Sequence, residues 1–159
     1  MNCVDASFAA KWVLPEDYSV QALALVDHMI ELDDWIVAPP LLSFEVTNIL
    51  RQRMRRRGMP LAEAEQALAS FATFPVTLFA SDELHRQALA LSDAYGLPAS
   101  YDAHYVALAQ MLQCELWTDD RRLLHELQNE FQFVRWIGDY SDREGQDEWT
   151  SVTTNRPDH

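Results

Sequence analysis

The sequence has few of the residues that build zinc sites and disulfide frameworks. It contains two cysteines, Cys3 and Cys114, which are too few for either. No apolar run approaches the ~20 residues that span a bilayer, and the N-terminus lacks the basic start of a signal peptide. We therefore expect a cytoplasmic protein with two buried, reduced thiols and no membrane association.

Basic side chains are also scarce. Twelve lysines and arginines stand against 25 acidic residues, the net charge is −13, and Lys11 is the sole lysine. This balance argues against the broad basic surface of a typical nucleic-acid-binding domain. Five of the twelve basic residues nevertheless lie close together: Arg51, Arg53, Arg55, Arg56 and Arg57. This arginine segment, residues 51–57, is either a local patch for a polyanion or a solvated helix C-terminus, which favours cations.

The length and composition indicate one packed domain. The chain has 159 residues, of which 48% are hydrophobic, and this is enough for a real core. Residues 1–138 contain no linker and no internal repeat, so we predict a single domain there. Residues 139–159 are polar with scattered charges, and we predict a loose C-terminal tail.

Short β-like runs alternate with longer helical runs along the chain. Strands are predicted at residues 2–5, 35–40, 75–79, 115–118 and 133–137. Helices are predicted at residues 18–32, 41–58, 61–74 and 84–95, after Ser100, and at 120–130. Strands that alternate with helices pair in parallel and carry helices on both faces. We therefore predict an α/β fold, a three-layer α/β/α sandwich with a short-stranded parallel sheet.

Acidic residues follow the predicted strands. Asp5 ends the first strand, Glu45 lies on the helix after the second, and Asp102 begins the helix that leads into the fourth. Asp119 and Asp120 come directly after the fourth strand. The functional crevice of a parallel sheet lies at the carboxyl ends of its strands. We therefore expect these carboxylates to gather at one edge of the sheet.

Each of these acids alone has a simpler explanation. Asp102 sits in the first turn of a helix, where Ser100 can serve as N-cap and the helix dipole favours an anion. Glu45 borders the apolar stripe of its helix, where an unpaired carboxylate is costly and needs a cation or an arginine. Four acids at one edge repel one another, and only a counter-ion relieves this. Oxygen ligands without Cys or His spacing favour Mg²⁺ or Mn²⁺.

Four short motifs occur in a characteristic order. They are VDAS at residues 4–7, FEVTNIL at 44–50, YDAHYVALA at 101–109 and WTDDRRLL at 117–124. In this set, which spans roughly residues 2–137, the chain resembles the PIN-domain ribonucleases, and specifically the VapC-type toxins of bacterial toxin–antitoxin pairs. The resemblance implies a PIN-like parallel sheet with the strand order 3-2-1-4-5.

The resemblance also implies roles for individual residues. The catalytic and metal-binding positions of the family are occupied here by Asp5, Glu45, Asp102 and Asp120. Ser7 and Thr118 match hydroxyl positions that orient carboxylates or waters, whereas Asp119 falls in a variable position. The implied activity is Mg²⁺- or Mn²⁺-dependent hydrolysis of RNA, with the arginine segment available for the RNA backbone. The implied partners are a second copy in a homodimer and a cognate VapB-like antitoxin.

Other interpretations stay open. A catalytically silent PIN-like module would bind a partner only, although the retention of all four acids argues against it. A metal-dependent phosphatase of the haloacid-dehalogenase kind would need an aspartate two residues after Asp5, where Ser7 stands. The apolar residues after the first strand are candidates either for the wall of an antitoxin groove or for ordinary core packing: Phe8, Trp12, Val13 and Leu14.

Overall fold

A five-stranded parallel sheet forms the centre of the protein. The computed structural model describes residues 1–127 and 129–141. The strands are β1 (Asn2–Val4), β2 (Ile36–Ala38), β3 (Val76–Leu78), β4 (Glu115–Thr118) and β5 (Val134–Trp136). Their order in the sheet is β3-β2-β1-β4-β5, with every neighbouring pair parallel. The predicted α/β fold and its 3-2-1-4-5 order are confirmed.

Helices flank the sheet. They are α1 (Ala6–Ala9), α2 (Ser19–Glu31), α3 (Leu41–Arg57), α4 (Leu61–Phe71), α5 (Asp82–Ala94), α6 (Tyr101–Leu112) and α7 (Arg121–Leu127), with short 3-10 helices at Ala10–Trp12 and Ile137–Asp139. The sequence pattern did not predict α1, because one turn of helix is too short to show a periodicity. It did predict the end of α3, where Gly58 adopts a left-handed conformation with φ of 69°.

The register of the central strands positions the acids. Val4, the last residue of β1, pairs with Trp117 of β4, so Asp5, which follows β1, lies level with Thr118 at the end of β4. The three inner strands are almost wholly buried, as expected for a sheet covered on both faces. The two cysteines are buried and unpaired, as expected.

The C-terminal part of the described chain still packs on the domain. The ring of Tyr140 lies edge-on against Trp117, with ring centroids 6.0 Å apart. The rest of the predicted tail, residues 142–159, lies outside the described residues, and the boundary at residue 138 stays a prediction. In the part of the chain that the structure describes, no helix is both long and apolar enough to cross a bilayer.

Candidate active site

Asp5 is the most deeply buried acid of the candidate site. It follows β1 and is 6% exposed. Its Oδ1 accepts hydrogen bonds from the Ser7 hydroxyl at 2.8 Å and from the Phe8 backbone N–H at 2.9 Å, and the second bond caps α1. Its Oδ2 accepts a hydrogen bond from the Thr118 hydroxyl. Burial raises the pKa of Asp5 to about 7, although these three hydrogen bonds lower it.

A neighbouring acid adds to this shift. The negative charge of Asp120 also raises the pKa of Asp5, so the two carboxylates interact across the ends of β1 and β4. Within residues 1–127 and 129–141, no lysine or arginine forms an ion pair with Asp5. Within the described residues, the buried carboxylate therefore accepts hydrogen bonds from uncharged groups, and these do not offset the free-energy cost of burying its charge.

Glu45 approaches the site from α3. The phenol of Tyr105, which is 1% exposed on α6, donates a hydrogen bond to Glu45 Oε2. Burial raises the pKa of Glu45, the Tyr105 hydrogen bond lowers it, and the charge of Asp102 raises it again. The expected partner of Glu45 was a cation or an arginine. No arginine pairs with Glu45 in the described part of the chain, where its partner is the uncharged hydroxyl of Tyr105, and the cation stays a prediction.

Asp102 and Asp120 share one arginine. The Arg122 Nη2 atom lies 2.9 Å from Asp102 Oδ2 and 3.8 Å from Asp120 Oδ2. Burial and the charge of Asp120 raise the pKa of Asp102, and Arg122 opposes this rise. The other oxygen of Asp120 accepts the backbone N–H groups of Arg122 and Leu123, at 2.8 and 3.2 Å. Asp120 therefore both begins α7 and faces the other acids.

The helix-capping expectation for Ser100 was wrong in one respect. Ser100 stands at the N-cap position of α6, but its side chain makes no capping hydrogen bond. Its backbone carbonyl oxygen instead lies 2.6 Å from Nδ1 of His104. Asp102 in the first turn of α6 therefore benefits from the helix dipole but not from a side-chain cap.

Ser7 and Thr118 connect the loops that carry the acids. The Ser7 hydroxyl, besides donating to Asp5, accepts the backbone N–H of Asp119 at 2.8 Å. Thr118, which is fully buried, donates to Asp5 and accepts the backbone N–H of Asp120 at 2.9 Å. The two hydroxyl oxygens lie 3.3 Å apart. This network ties the end of β1 to the loop between β4 and α7.

Asp119 points away from the other acids. Its Oδ2 lies 2.7 Å from Lys11 Nζ, and its Oδ1 accepts a hydrogen bond from Trp136 Nε1 at 3.1 Å. Lys11 is 3% exposed and also lies 3.5 Å from Glu16 Oε2. Lys11 is the sole lysine of the chain, and its position predicted no role in the site. Its place between Ala10 and Trp12 in an apolar run does indicate a buried side chain, which would need an acidic partner.

The arginine segment divides between two faces of α3. Arg53, Arg56 and Arg57 line a groove of about 240 Å³ together with Glu16, Ile49 and Gln52. Arg53 is also ion-paired with Glu16. Arg51 and Arg55 are exposed and do not line this groove. With 3.6 residues per turn, Arg56 lies on the same side of α3 as Glu45 and about 16 Å further along the axis.

The donor set has the chemistry of a site for a hard divalent cation. The candidate ligands are carboxylate oxygens, hydroxyl groups hydrogen-bond to Asp5 and Glu45, and the charges of Asp102 and Asp120 raise the pKa values of their acidic neighbours. Only one side-chain cation, Arg122, contacts any of the four acids in the part of the chain described. In the described part of the chain, no group of three or more Asp, Glu, His or Cys side chains is arranged to hold a metal ion. The residues thus fit Mg²⁺ or Mn²⁺ in donor type and charge but, among the described residues, are not arranged as a metal shell.

Comparison with known proteins identifies the family. Residues 3–128 match the PIN domain family, and the chain therefore belongs to it. Within the family it is similar to VapC proteins. It is 35% identical over 125 residues to Ribonuclease VapC3 of Pyrobaculum aerophilum, and this alignment covers 76% of this chain and 89% of that protein. It is 29% identical over 123 residues to Ribonuclease VapC9 of Mycobacterium tuberculosis, with coverages of 77% and 88%.

A solved structure has the same fold. It is a chain of a toxin–antitoxin complex from Klebsiella pneumoniae, which superimposes with a TM-score of 0.56 over 80% of this chain and 92% of that one. The sequence identity is 17%, so this likeness concerns the fold alone. The predicted resemblance to VapC-type PIN-domain proteins is confirmed.

Proposed function

We propose that this protein is a Mg²⁺- or Mn²⁺-dependent ribonuclease and the toxin of a VapBC-type toxin–antitoxin pair. One observation carries the proposal: four carboxylates lie near the carboxyl edge of the parallel sheet, and the charges of Asp102 and Asp120 raise the pKa values of the acids beside them. Repulsion between these acids destabilises the fold, and a bound cation would relieve it, so the arrangement favours a cation-binding function. The relatives whose names describe them as VapC ribonucleases support the same activity.

The cation would be held by Asp5, Glu45 and Asp102, with Asp120 binding a second ion directly or through water. When bound, it would neutralise charge that develops on the phosphate and supply an activated water. The chain's own residues position the ligands. Thr118 and Ser7 hold the Asp5 carboxylate in one orientation, and Tyr105 does the same for Glu45. Support of this kind for metal ligands commonly decides metal affinity.

The RNA backbone would run along α3. Glu45 and Arg56 lie on one side of this helix, and Arg53 and Arg57 border the same groove. Phosphate contacts from arginine position a nucleic acid without reading its sequence. The acidic cluster repels RNA, so substrate binding would depend on these few arginines and on the cation. This reconciles a net charge of −13 with an anionic substrate.

The antitoxin would bind beside the site. Phe8 is fully buried and belongs to the core. Trp12 and Leu14 are also buried, at 5% and 3% exposed, but together with Val13 they line an open groove of about 470 Å³. The groove continues along α2 and α4 past Val20 and Met59. An apolar antitoxin segment fits this groove, and a basic residue of that segment could replace the cation among the acids. We also propose that two copies of the protein form a homodimer.

The partner proposal is tested by co-expression with the cognate antitoxin. We expect a stable complex without nuclease activity. The double substitution Asp5→Ala and Asp102→Ala should weaken antitoxin binding, because it removes the charge that a basic residue would neutralise. Unchanged affinity of this double mutant would show that charge replacement contributes nothing. The molecular mass of the free protein in solution, measured by light scattering, tests the homodimer.

The activity is tested with RNA substrates and controlled metal content. We expect cleavage of RNA in Mg²⁺ or Mn²⁺ and none after chelation with EDTA. Hydrolysis of a phosphomonoester such as p-nitrophenyl phosphate, without RNA cleavage, would instead favour the phosphatase interpretation. Antitoxin binding without cleavage of any RNA under these conditions would favour the silent partner-binding module.

A further inference from the structure

The Arg122 guanidinium occupies a position beside two of the acids that a bound metal ion would also occupy. The guanidinium lies 2.9 Å from Asp102 Oδ2 and 3.8 Å from Asp120 Oδ2. These are two of the four carboxylates in the proposed metal site. A divalent ion shared by Asp102 and Asp120 would require the oxygens that now face the arginine. The guanidinium and the ion therefore compete for the same charge.

We propose that Arg122 is a built-in counter-ion of the active site, which holds Asp102 and Asp120 together in the metal-free protein and must move away before the divalent cation binds. The inference rests on the proposed metal-dependent function. In this proposal the Arg122 side chain competes with the divalent cation for Asp102 and Asp120. The affinity of the site for metal therefore depends partly on the strength of the Arg122 contacts.

The local structure allows this movement. The Arg122 side chain is 57% exposed, so its guanidinium can turn into solvent at little cost. Its backbone N–H, which donates to Asp120 Oδ1 at 2.8 Å, is part of the start of α7 and does not have to move. The exchange therefore needs a side-chain rotation only, and Asp120 keeps its place throughout.

The neighbouring arginine, Arg121, is also exposed but makes different contacts. The Arg121 guanidinium lies 3.9 Å from the centroid of the Trp136 ring and 3.4 Å from the hydroxyl of Tyr18. No described contact joins it to any of the four acids. Arg121→Gln therefore removes the same charge one position away and leaves the acids untouched. It is a matched control for Arg122→Gln.

The test measures metal affinity directly. Mn²⁺ and Mg²⁺ are titrated calorimetrically into the metal-free wild type, Arg122→Gln and Arg121→Gln. An exposed ion pair of this kind predicts that Arg122→Gln binds Mn²⁺ about 3- to 10-fold more tightly than wild type, and Arg121→Gln less than about 2-fold. The metal-free Arg122→Gln protein should also have a lower thermal midpoint than the metal-free wild type. Saturating Mn²⁺ should abolish this difference.

Two results would overturn the inference. Equal or weaker Mn²⁺ binding by Arg122→Gln would show that Arg122 supports the site rather than competing for it, while metal-dependent RNA cleavage by the wild type would leave the proposed function standing. Absence of Mn²⁺ binding in all three proteins, together with RNA cleavage in EDTA, would overturn the inference and the metal-dependent function together.

Discussion

The hydroxyl of Tyr105 donates a hydrogen bond to the carboxylate of Glu45, joining α6 to α3 beneath the candidate site. The two residues are 60 positions apart in the chain, and Tyr105 is almost completely buried. This hydrogen bond lowers the pKa of Glu45, whereas burial and Asp102 raise it. Tyr105 thus helps to keep Glu45 ionised and in a fixed orientation.

Tyr105→Phe should therefore shift the pH dependence of the enzyme. Without the donor, the pKa of Glu45 rises further, so a larger fraction of Glu45 is protonated at low pH. We expect the acidic limb of the pH–rate profile to move to higher pH, with a smaller loss of activity at pH 8. A uniform loss at every pH, without a shift of the limb, would indicate a packing role alone.

The metal-free protein should lose stability as the pH rises. The pKa of Asp5 is about 7 in the fold, above the ordinary value of 3.8 that an unfolded chain restores, so folding favours the protonated form. Its contribution is complete below pH ~4 and is lost as the pH rises to ~7, with a slope of at most about 1.4 kcal/mol per pH unit. Urea denaturation from pH 4 to 8 measures this loss.

Two variants separate Asp5 from the other acids in that experiment. Asp5→Asn should flatten the profile in part, since the raised pKa values of Glu45 and Asp102 act in the same direction. Thr118→Val removes a hydrogen bond that lowers the pKa of Asp5, so the loss should begin at the same pH and extend to higher pH than in wild type. A profile of Asp5→Asn identical to wild type would contradict the assignment of the loss to Asp5.

The arginine groove should affect RNA binding selectively. Arg56→Gln with Arg57→Gln removes two groove arginines, whereas Arg51→Gln with Arg55→Gln removes two from outside the groove. We expect the first pair to raise KM about 10-fold and to reduce the salt dependence of RNA binding, and the second to change KM less than about 2-fold. Equal effects of the two pairs would mean that the whole segment acts as a diffuse charge.

The buried ion pair of Lys11 and Asp119 should serve stability rather than catalysis. Lys11→Met should cost about 2–3 kcal/mol of unfolding free energy, less than a fully buried pair because Asp119 is 23% exposed. Asp119→Asn should also destabilise the fold yet keep metal-dependent cleavage. Asp120→Asn should keep the fold and lose cleavage. Loss of activity in Asp119→Asn at unchanged metal-free stability would make Asp119 a ligand.

Much of the fold followed from local patterns. Alternating short strands and amphipathic helices predicted the parallel sheet, and the rule for strand ends predicted where Asp5 and Asp120 would lie. The turn of α1 was missed because four residues show no period. The five arginines are clustered in the sequence, which predicts one patch, whereas the helical period places Arg56 and Arg51 on different faces of α3.

The partners of the acids could not be predicted in the same way. The contact of Tyr105 with Glu45 depends on how α6 packs beside α3, and no spacing in the sequence encodes it. The direction of the Arg122 side chain toward Asp102 depends on the angle at which α7 leaves the sheet. Side-chain contacts between distant elements are set by packing of the whole fold.

The central claim is that the four carboxylates form one metal-dependent catalytic site, and Asp102→Asn tests it most directly. The substitution keeps the shape of a side chain that is 33% exposed and removes its charge. Because the environment raises the pKa of Asp102, the metal-free variant should keep its fold and unfold at the same or a higher temperature than wild type. Its Mn²⁺-dependent RNA cleavage should fall at least about 100-fold. Cleavage at the wild-type rate by a folded Asp102→Asn protein would contradict the account.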